Sequence, residues 1–164
     1  MELNMKQILP LSAVGLTFVL ASTILYAQNE AKGLEGEWKL EKVTCADKNQ
    51  EIELNKRIDQ GHFGFTITFE ADRFRETIDE KTKGRRIMAI TVGTHTMNPT
   101  QKQLILNKSS TSLTEGGRSS VLKWSSDDLH AQKQLGYELS AHGLVIEAQD
   151  ACDDSRGSLL FKKI

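Results

Sequence analysis

Beyond residue 34 the chain is patterned with a period of two. Phe63, Phe65, Ile67 and Phe69 alternate with Gly64, Thr66 and Thr68, the spacing of a half-buried strand whose side chains point to opposite faces. Glu70-Ala71-Asp72-Arg73 is a turn, and Phe74, Glu76 and Ile78 then alternate with Arg73, Arg75, Thr77 and Asp79 as a second strand with a solvated face. A polar connection from Asp79 to Gly84 leads to Met88, Ile90 and Val92, which alternate with Ala89 and Thr91. Asn98-Pro99 breaks the chain before Leu104 and Leu106. Leu122-Lys123-Trp124, the alternation of Leu135, Tyr137 and Leu139, the run Leu144-Val145-Ile146 after His142-Gly143, and Leu159-Leu160-Phe161 supply further short strands. With the one around Trp38 they number about eight. No segment from Gln28 onward sustains the three-and-four spacing of a long amphipathic helix, and the Ser/Thr/Gly-rich stretch Asn107 to Ser120 is expected to be a long loop. The pattern predicts an all-β fold: a small antiparallel up-and-down barrel of about eight strands, with an open β-sandwich as the alternative. Closure is favoured because it removes strand edges that would pair with other chains.

The amino-terminal segment is patterned differently. From Ile8 to Tyr26 the residues are almost wholly apolar, Lys6 stands just ahead, and Ala27 supplies a small residue at the exit. This is the layout of a secretory signal peptide, predicted to be cleaved near Ala27. Retained, the stretch would be about long enough to hold the chain to a membrane, the one form of membrane contact the sequence suggests. The expected organisation is a signal peptide over residues 1–27, a short linker over 28–33 and one domain over 34–164. Export to the periplasm or beyond follows.

Composition narrows the classes. The 21 basic and 22 acidic residues nearly cancel, which excludes a dominant nucleic-acid footprint, and the apolar content is too high for a disordered chain. Removing residues 1–27 leaves 137, enough for one core. Cys45 and Cys152 are the only two cysteines. In an exported chain they predict one disulfide tying the first strand to the last hairpin.

The entry strand Leu34-Glu35-Gly36-Glu37-Trp38-Lys39-Leu40 resembles the Gly-x-Trp start of lipocalin-like (calycin-type) barrels, in particular the small secreted versions found in bacteria. Phe65 to Asp72, Gly136 to Ser140 with Gly143 to Ile146, and Leu159 to Ile164 are similar to the second strand, penultimate hairpin and last strand of that family. The resemblance implies that Gly36 lets the chain bend into the barrel base and that Trp38 plugs the closed end. A basic residue packing over that Trp would fall at Lys162 or Lys163. It also implies a small hydrophobic ligand in the barrel interior, with Trp38, Phe65, Ile67, Phe69, Met88, Ile90, Trp124 and Tyr137 as the expected lining.

Other chemistry is sparse. His62, His95, His130 and His142 lack ligand spacing, so no metal site is expected. Asp127, Asp128 and His130 could place carboxylates beside a base, but Asp-Asp after Ser-Ser is also a plain polar turn. Asp150, Asp153 and Asp154 lack the regular spacing of a calcium loop, and Gly116-Gly117-Arg118 is no phosphate cradle. Arg85-Arg86 and Lys162-Lys163 suit the protection of strand edges. No catalytic set and no cofactor is suggested, so the sequence predicts a binding protein rather than an enzyme. The alternative is an envelope protein-interaction or inhibitor module with a packed barrel.

Overall fold

The structure, a computed structural model, describes residues 32–125, 127–128, 130–152 and 155–164. The segment expected to be a signal peptide, most of the expected linker, Asp153 and Asp154 lie outside the described residues. In chain order the elements are β1 (Gly36–Cys45), α1 (Lys48–Asp59), β2 (Phe63–Glu70), β3 (Arg73–Thr82), β4 (Arg85–Asn98), β5 (Gln103–Glu115), β6 (Arg118–Lys123), β7 (Gln132–Ser140), β8 (Gly143–Cys152) and β9 (Ser155–Lys163). Every pairing is antiparallel. The sheet order β4-β3-β2-β1-β9-β8-β7-β5 closes on itself through a β4–β5 ladder, giving an eight-stranded up-and-down barrel. The ninth strand, β6, pairs with the far half of β5 only.

One end of the barrel, the base, is sealed. Trp38, Ile67, Phe69, Phe74, Leu104, Leu106, Tyr137, Leu144, Ile146 and Phe161 are all buried there in one apolar cluster. Each such side chain contributes roughly 1.5–3 kcal/mol by leaving water. Residues 32–34 are helical and bring Leu34, which is fully buried, beneath the strands. The Trp38 indole N–H donates to the Leu34 carbonyl at 2.8 Å, and the Lys163 ammonium lies 5.3 Å over the Trp38 ring. Gly36 makes this crossing possible: its φ is +123°, and a Cβ there would stand 2.7 Å from the Lys163 side chain.

The other end, the rim, is built less regularly. β1 and β2 pair only over Gly36–Lys39 and Thr66–Phe69, then splay apart. α1 fills the wedge. Asp47 caps it by accepting from the Asn49 N–H at 2.8 Å. Asn55 then serves as a substitute strand, accepting from the Val43 N–H and donating to the Val43 carbonyl, both at 2.8 Å. Glu51 accepts from the Cys45 N–H at 3.0 Å. These contacts satisfy backbone groups that β2 leaves unpaired, and an unpaired buried group costs about 1–3 kcal/mol. Leu54 and Ile58 rest on the core, and Arg57 pairs with Glu80 of β3 at 2.7 Å.

The helix corrects the sequence reading, which foresaw none. Its apolar face is only two residues wide at i and i+4, and no residue of it is fully buried, so polar anchoring replaces the broad apolar stripe that periodicity detects. The expected loop over Asn107 to Ser120 is likewise a hairpin of β5 and β6. Its turn, Gly116-Gly117, has φ values of +55° and +79°, the conformation that two-residue hairpins require at both central positions. Serines and threonines pass for loop in sequence, yet here they alternate on a strand.

Cys45 and Cys152 are bonded, with Cα atoms 5.9 Å apart and 107 residues between them. Both are buried at the rim, where the bond ties β1 to β8. A loop of that length predicts stabilisation of about 4–5 kcal/mol by the chain-entropy argument. Replacing both cysteines with alanine is expected to lower unfolding free energy by about 2–5 kcal/mol. Urea denaturation of the two proteins checks it, with a higher m-value expected for the alanine variant because its unlinked unfolded chain exposes more surface.

Candidate functional site

Strand parity defines what faces the interior. Inward positions are Phe63, Phe65, Ile67 and Phe69 on β2, Phe74, Glu76, Ile78 and Glu80 on β3, and the odd residues Ile87 to Met97 on β4, as the registers Phe69↔Phe74, Phe74↔Gly93 and Ile78↔Ala89 require. On β5, Leu104 and Leu106 face inward. A bulge at Ser109, opposite the Val92–Gly93 step, shifts the inward phase to Thr111 and Leu113. Gly93 is forced by this close approach, since a Cβ there would stand 1.9 Å from the Asn107 carbonyl oxygen and 2.8 Å from the Phe74 ring.

Interior side chains change character along the barrel axis. At the base they are buried and apolar. Toward the rim, Phe63, Phe65, Ile78, Ala89, Thr91, Thr111 and Leu159 are all half-buried, and inward Leu113 and Leu122 are 40% and 55% exposed. Side chains that face inward and still meet water show that the interior is less tightly covered at the rim than at the base.

A polar row crosses the barrel wall toward the rim. The register puts Glu76 beside Thr91 and Thr91 beside Thr111. The Thr91 and Thr111 hydroxyls are 3.0 Å apart, and the Trp124 indole N–H donates to Thr111 Oγ1 at 3.0 Å. The Lys108 ammonium lies 4.8 Å over the Trp124 ring and donates to the His130 carbonyl at 3.0 Å. Lys133 follows on β7, on the same inward face as buried Leu135 and Tyr137. The Glu76 carboxyl has no hydrogen bond or ion pair with the other described residues. Burial pushes its carboxyl above the ordinary carboxylate range, against the opposing pull of Lys133 and Lys108.

The eight residues expected to line a binding site separate into three groups. Trp38, Ile67, Phe69 and Tyr137 lie in the packed base, where they close the barrel. Phe65 and Trp124 are half-buried toward the rim, with Phe65 meeting Phe161 edge-on at 5.2 Å. Met88 and Ile90 do not face the interior. They stand on the outer face opposite Asp79 and Thr77, because the Phe74 ring and the β5 bulge require Gly93, and with it the small residues Ala89 and Thr91, on the inside. Glu76, Lys108 and Lys133 were missed as site residues. Glu76 did carry a sign: it occupies the apolar phase between Phe74 and Ile78.

The other candidate groups stay apart. His62, His130 and His142 are exposed in separate turns. The Asp128 carboxylate accepts from the His130 N–H at 2.8 Å, forming a local turn. Among the described residues no three His, Cys, Asp or Glu side chains converge as metal ligands do. Arg85 and Arg86 pair with Glu115 and Asp79, and Lys162 with Glu41. A concavity of about 880 Å³ on the outer face is lined by outward threonines and arginines of β2 and β3 and is open to solvent. Comparison with known protein families, with curated proteins and with solved structures finds no match to this chain.

His95 is buried in the base, its ring 4.9 Å from Phe69 and its Nδ1 without a partner. Burial lowers its pKa, outweighing the backbone contact with Arg73 and the attraction of Asp72 and Glu35. Stability from a depressed histidine is complete above its unfolded value of about 6.5 and is lost as pH falls through that value toward the folded one. Glu76 has the opposite sign: its contribution is complete below about 4.3 and lost as pH rises through the folded pKa. His95→Phe is therefore expected to flatten the stability profile below pH 6.5. Glu76→Gln is expected to raise the melting temperature at pH 7 and leave it unchanged at pH 4. Thermal unfolding of the three proteins across that range checks both signs.

Proposed function

We propose that the protein is an exported, lipocalin-like binding protein that holds a small hydrophobic molecule in the rim-side chamber of its barrel. The observation that carries this reading is the closed barrel whose inward side chains toward the rim, Phe65, Ile78, Thr91, Thr111 and Leu159, are only half-buried. They form an apolar wall with a few polar groups, as small-molecule sites have. Glu76 stands on the same inward face, beside Thr91. The disulfide between Cys45 and Cys152 supports an oxidising compartment, and the Lys163–Trp38 stack at the base supports the lipocalin-like resemblance.

The test is uptake of a neutral apolar dye by the purified full chain. Saturable binding at one site is expected, with quenching of Trp124. Ala89→Trp should fill the chamber and abolish uptake while the melting temperature stays within a few degrees. Absence of uptake by the unmodified chain, together with native mass spectrometry showing no co-purified ligand, overturns the reading.

A second reading, an envelope protein-interaction module, is favoured by β6. All six of its residues are exposed, and it pairs with β5 alone. Two of the large exposed apolar side chains among the described residues, Val92 and Val121, stand on the outer face of β4 and β6. An uncovered strand edge is a template for an added strand. Under this reading a stoichiometric partner is recovered from envelope extract by the full chain and lost with Val121→Pro. Equal recovery by both chains counts against it.

A further inference from the structure

β6 has one bare edge, and the register fixes which groups stand on it. Glu115 and Arg118 close the Gly116-Gly117 turn, and the Trp124 N–H donates to the Ser109 carbonyl at 3.0 Å. Bonded positions alternate along an antiparallel pair, so Arg118, Ser120, Leu122 and Trp124 direct their backbone groups to β5. Ser119, Val121 and Lys123 direct theirs the other way. The edge therefore presents three N–H donors and three carbonyl acceptors, about 7 Å from one residue to the next. None of these groups bonds to another described residue.

Side chains set what an added strand must carry. Val121 points outward in a row with Ser112, Ile90 and Thr77, while Leu122 points inward beside Thr111. Two apolar residues at the middle of the added strand cover both. The ends of β6 are basic. Arg118 and Lys123 are exposed, stand about 17 Å apart, and form no ion pair among the described residues. Glu115, across from Arg118, is paired with Arg85 instead. Opposite charges facing each other across a ladder stabilise it and like charges destabilise it. A second copy of β6 is a poor match on that ground. Pairing about the strand's midpoint sets Arg118 against Lys123, and any register gathers four cations without an acid.

Resting on the interaction reading above, and independent of what the barrel holds, we infer that β6 takes an extended acidic peptide as an added strand. The segment is about six residues long, apolar at its centre, with a carboxylate at each end facing Arg118 and Lys123.

The probes are two fluorescein-labelled, amidated hexapeptides, Glu-Thr-Ile-Val-Thr-Glu and Lys-Thr-Ile-Val-Thr-Lys, titrated with the full chain at pH 7 and low salt and read by fluorescence anisotropy. The acidic peptide is expected to bind at least about tenfold tighter than the basic one. Arg118→Glu combined with Lys123→Glu should reverse that order. Val121→Pro should cost the acidic peptide at least about tenfold. It spares the β5–β6 ladder, because the N–H it removes lies on the free edge. Equal affinity for the two peptides, or an order unchanged by the double charge substitution, overturns the acidic partner and leaves the interaction reading standing. Dimerisation of the peptide-free chain that Val121→Pro abolishes puts a second copy on the edge, with the same consequence. Failure of both peptides to bind overturns the added strand, and the interaction reading with it.

Discussion

The β4–β5 ladder, running from Ile87↔Glu115 to Asn98↔Gln103, joins the two ends of what would otherwise be an open sheet. Once that seam exists, every strand has an inside, and the phase of each is set by its neighbours. The seam also imposes its own distortion: the extra residue Ser109 on β5 bends the wall, presses Asn107 against Gly93 and re-aims the residues beyond. Below the bulge, Leu104 and Leu106 belong to the apolar base. Above it, Thr111 and Leu113 lie toward the more exposed rim. One inserted residue thus separates a tightly packed half from a more exposed one.

The same bulge explains the odd position of β6. β7 pairs with β5 only over Gln103–Asn107, and β6 takes over beyond Ser110. The wall is carried upward by two different strands on one flank of β5, with Trp124 and Lys108 fastening the segment between them. On the opposite flank of the barrel, β1 and β2 splay and α1 fills the gap with Asn55 and Glu51. Both departures from a plain barrel lie toward the rim. Closure of the base needs neither of them.

Much of the fold was legible in the sequence because alternation is a strong signal where one face is apolar and the other polar. The β2 run from Phe63 to Phe69 is the clearest case, and the pairing of Cys45 with Cys152 followed from their number and setting. Legibility failed where that contrast is weak. Residues 109–114 are all serine or threonine but for Leu113, so both faces look solvated and the strand looks like loop. Met88, Ile90 and Val92 gave a clear alternation with the wrong sign, since the inner face there is made of small residues under the Phe74 ring, a tertiary fact that no local pattern carries. The inward-facing polar groups escaped notice for a related reason. Glu76, Lys108 and Lys133 lie far apart in sequence and share the inner face only through the pairing of β3, β4, β5 and β7.

The stack of Lys163 on Trp38, with the Ile164 N–H donating to the Glu37 carbonyl at 3.0 Å, has a geometric consequence. It brings the start and finish of the described chain to the same pole, opposite the mouth. A linkage made at residue 32 or at residue 164 would therefore hold the barrel by its plugged end. The rim, with α1 and the β5–β6 hairpin, would then point away from the attachment.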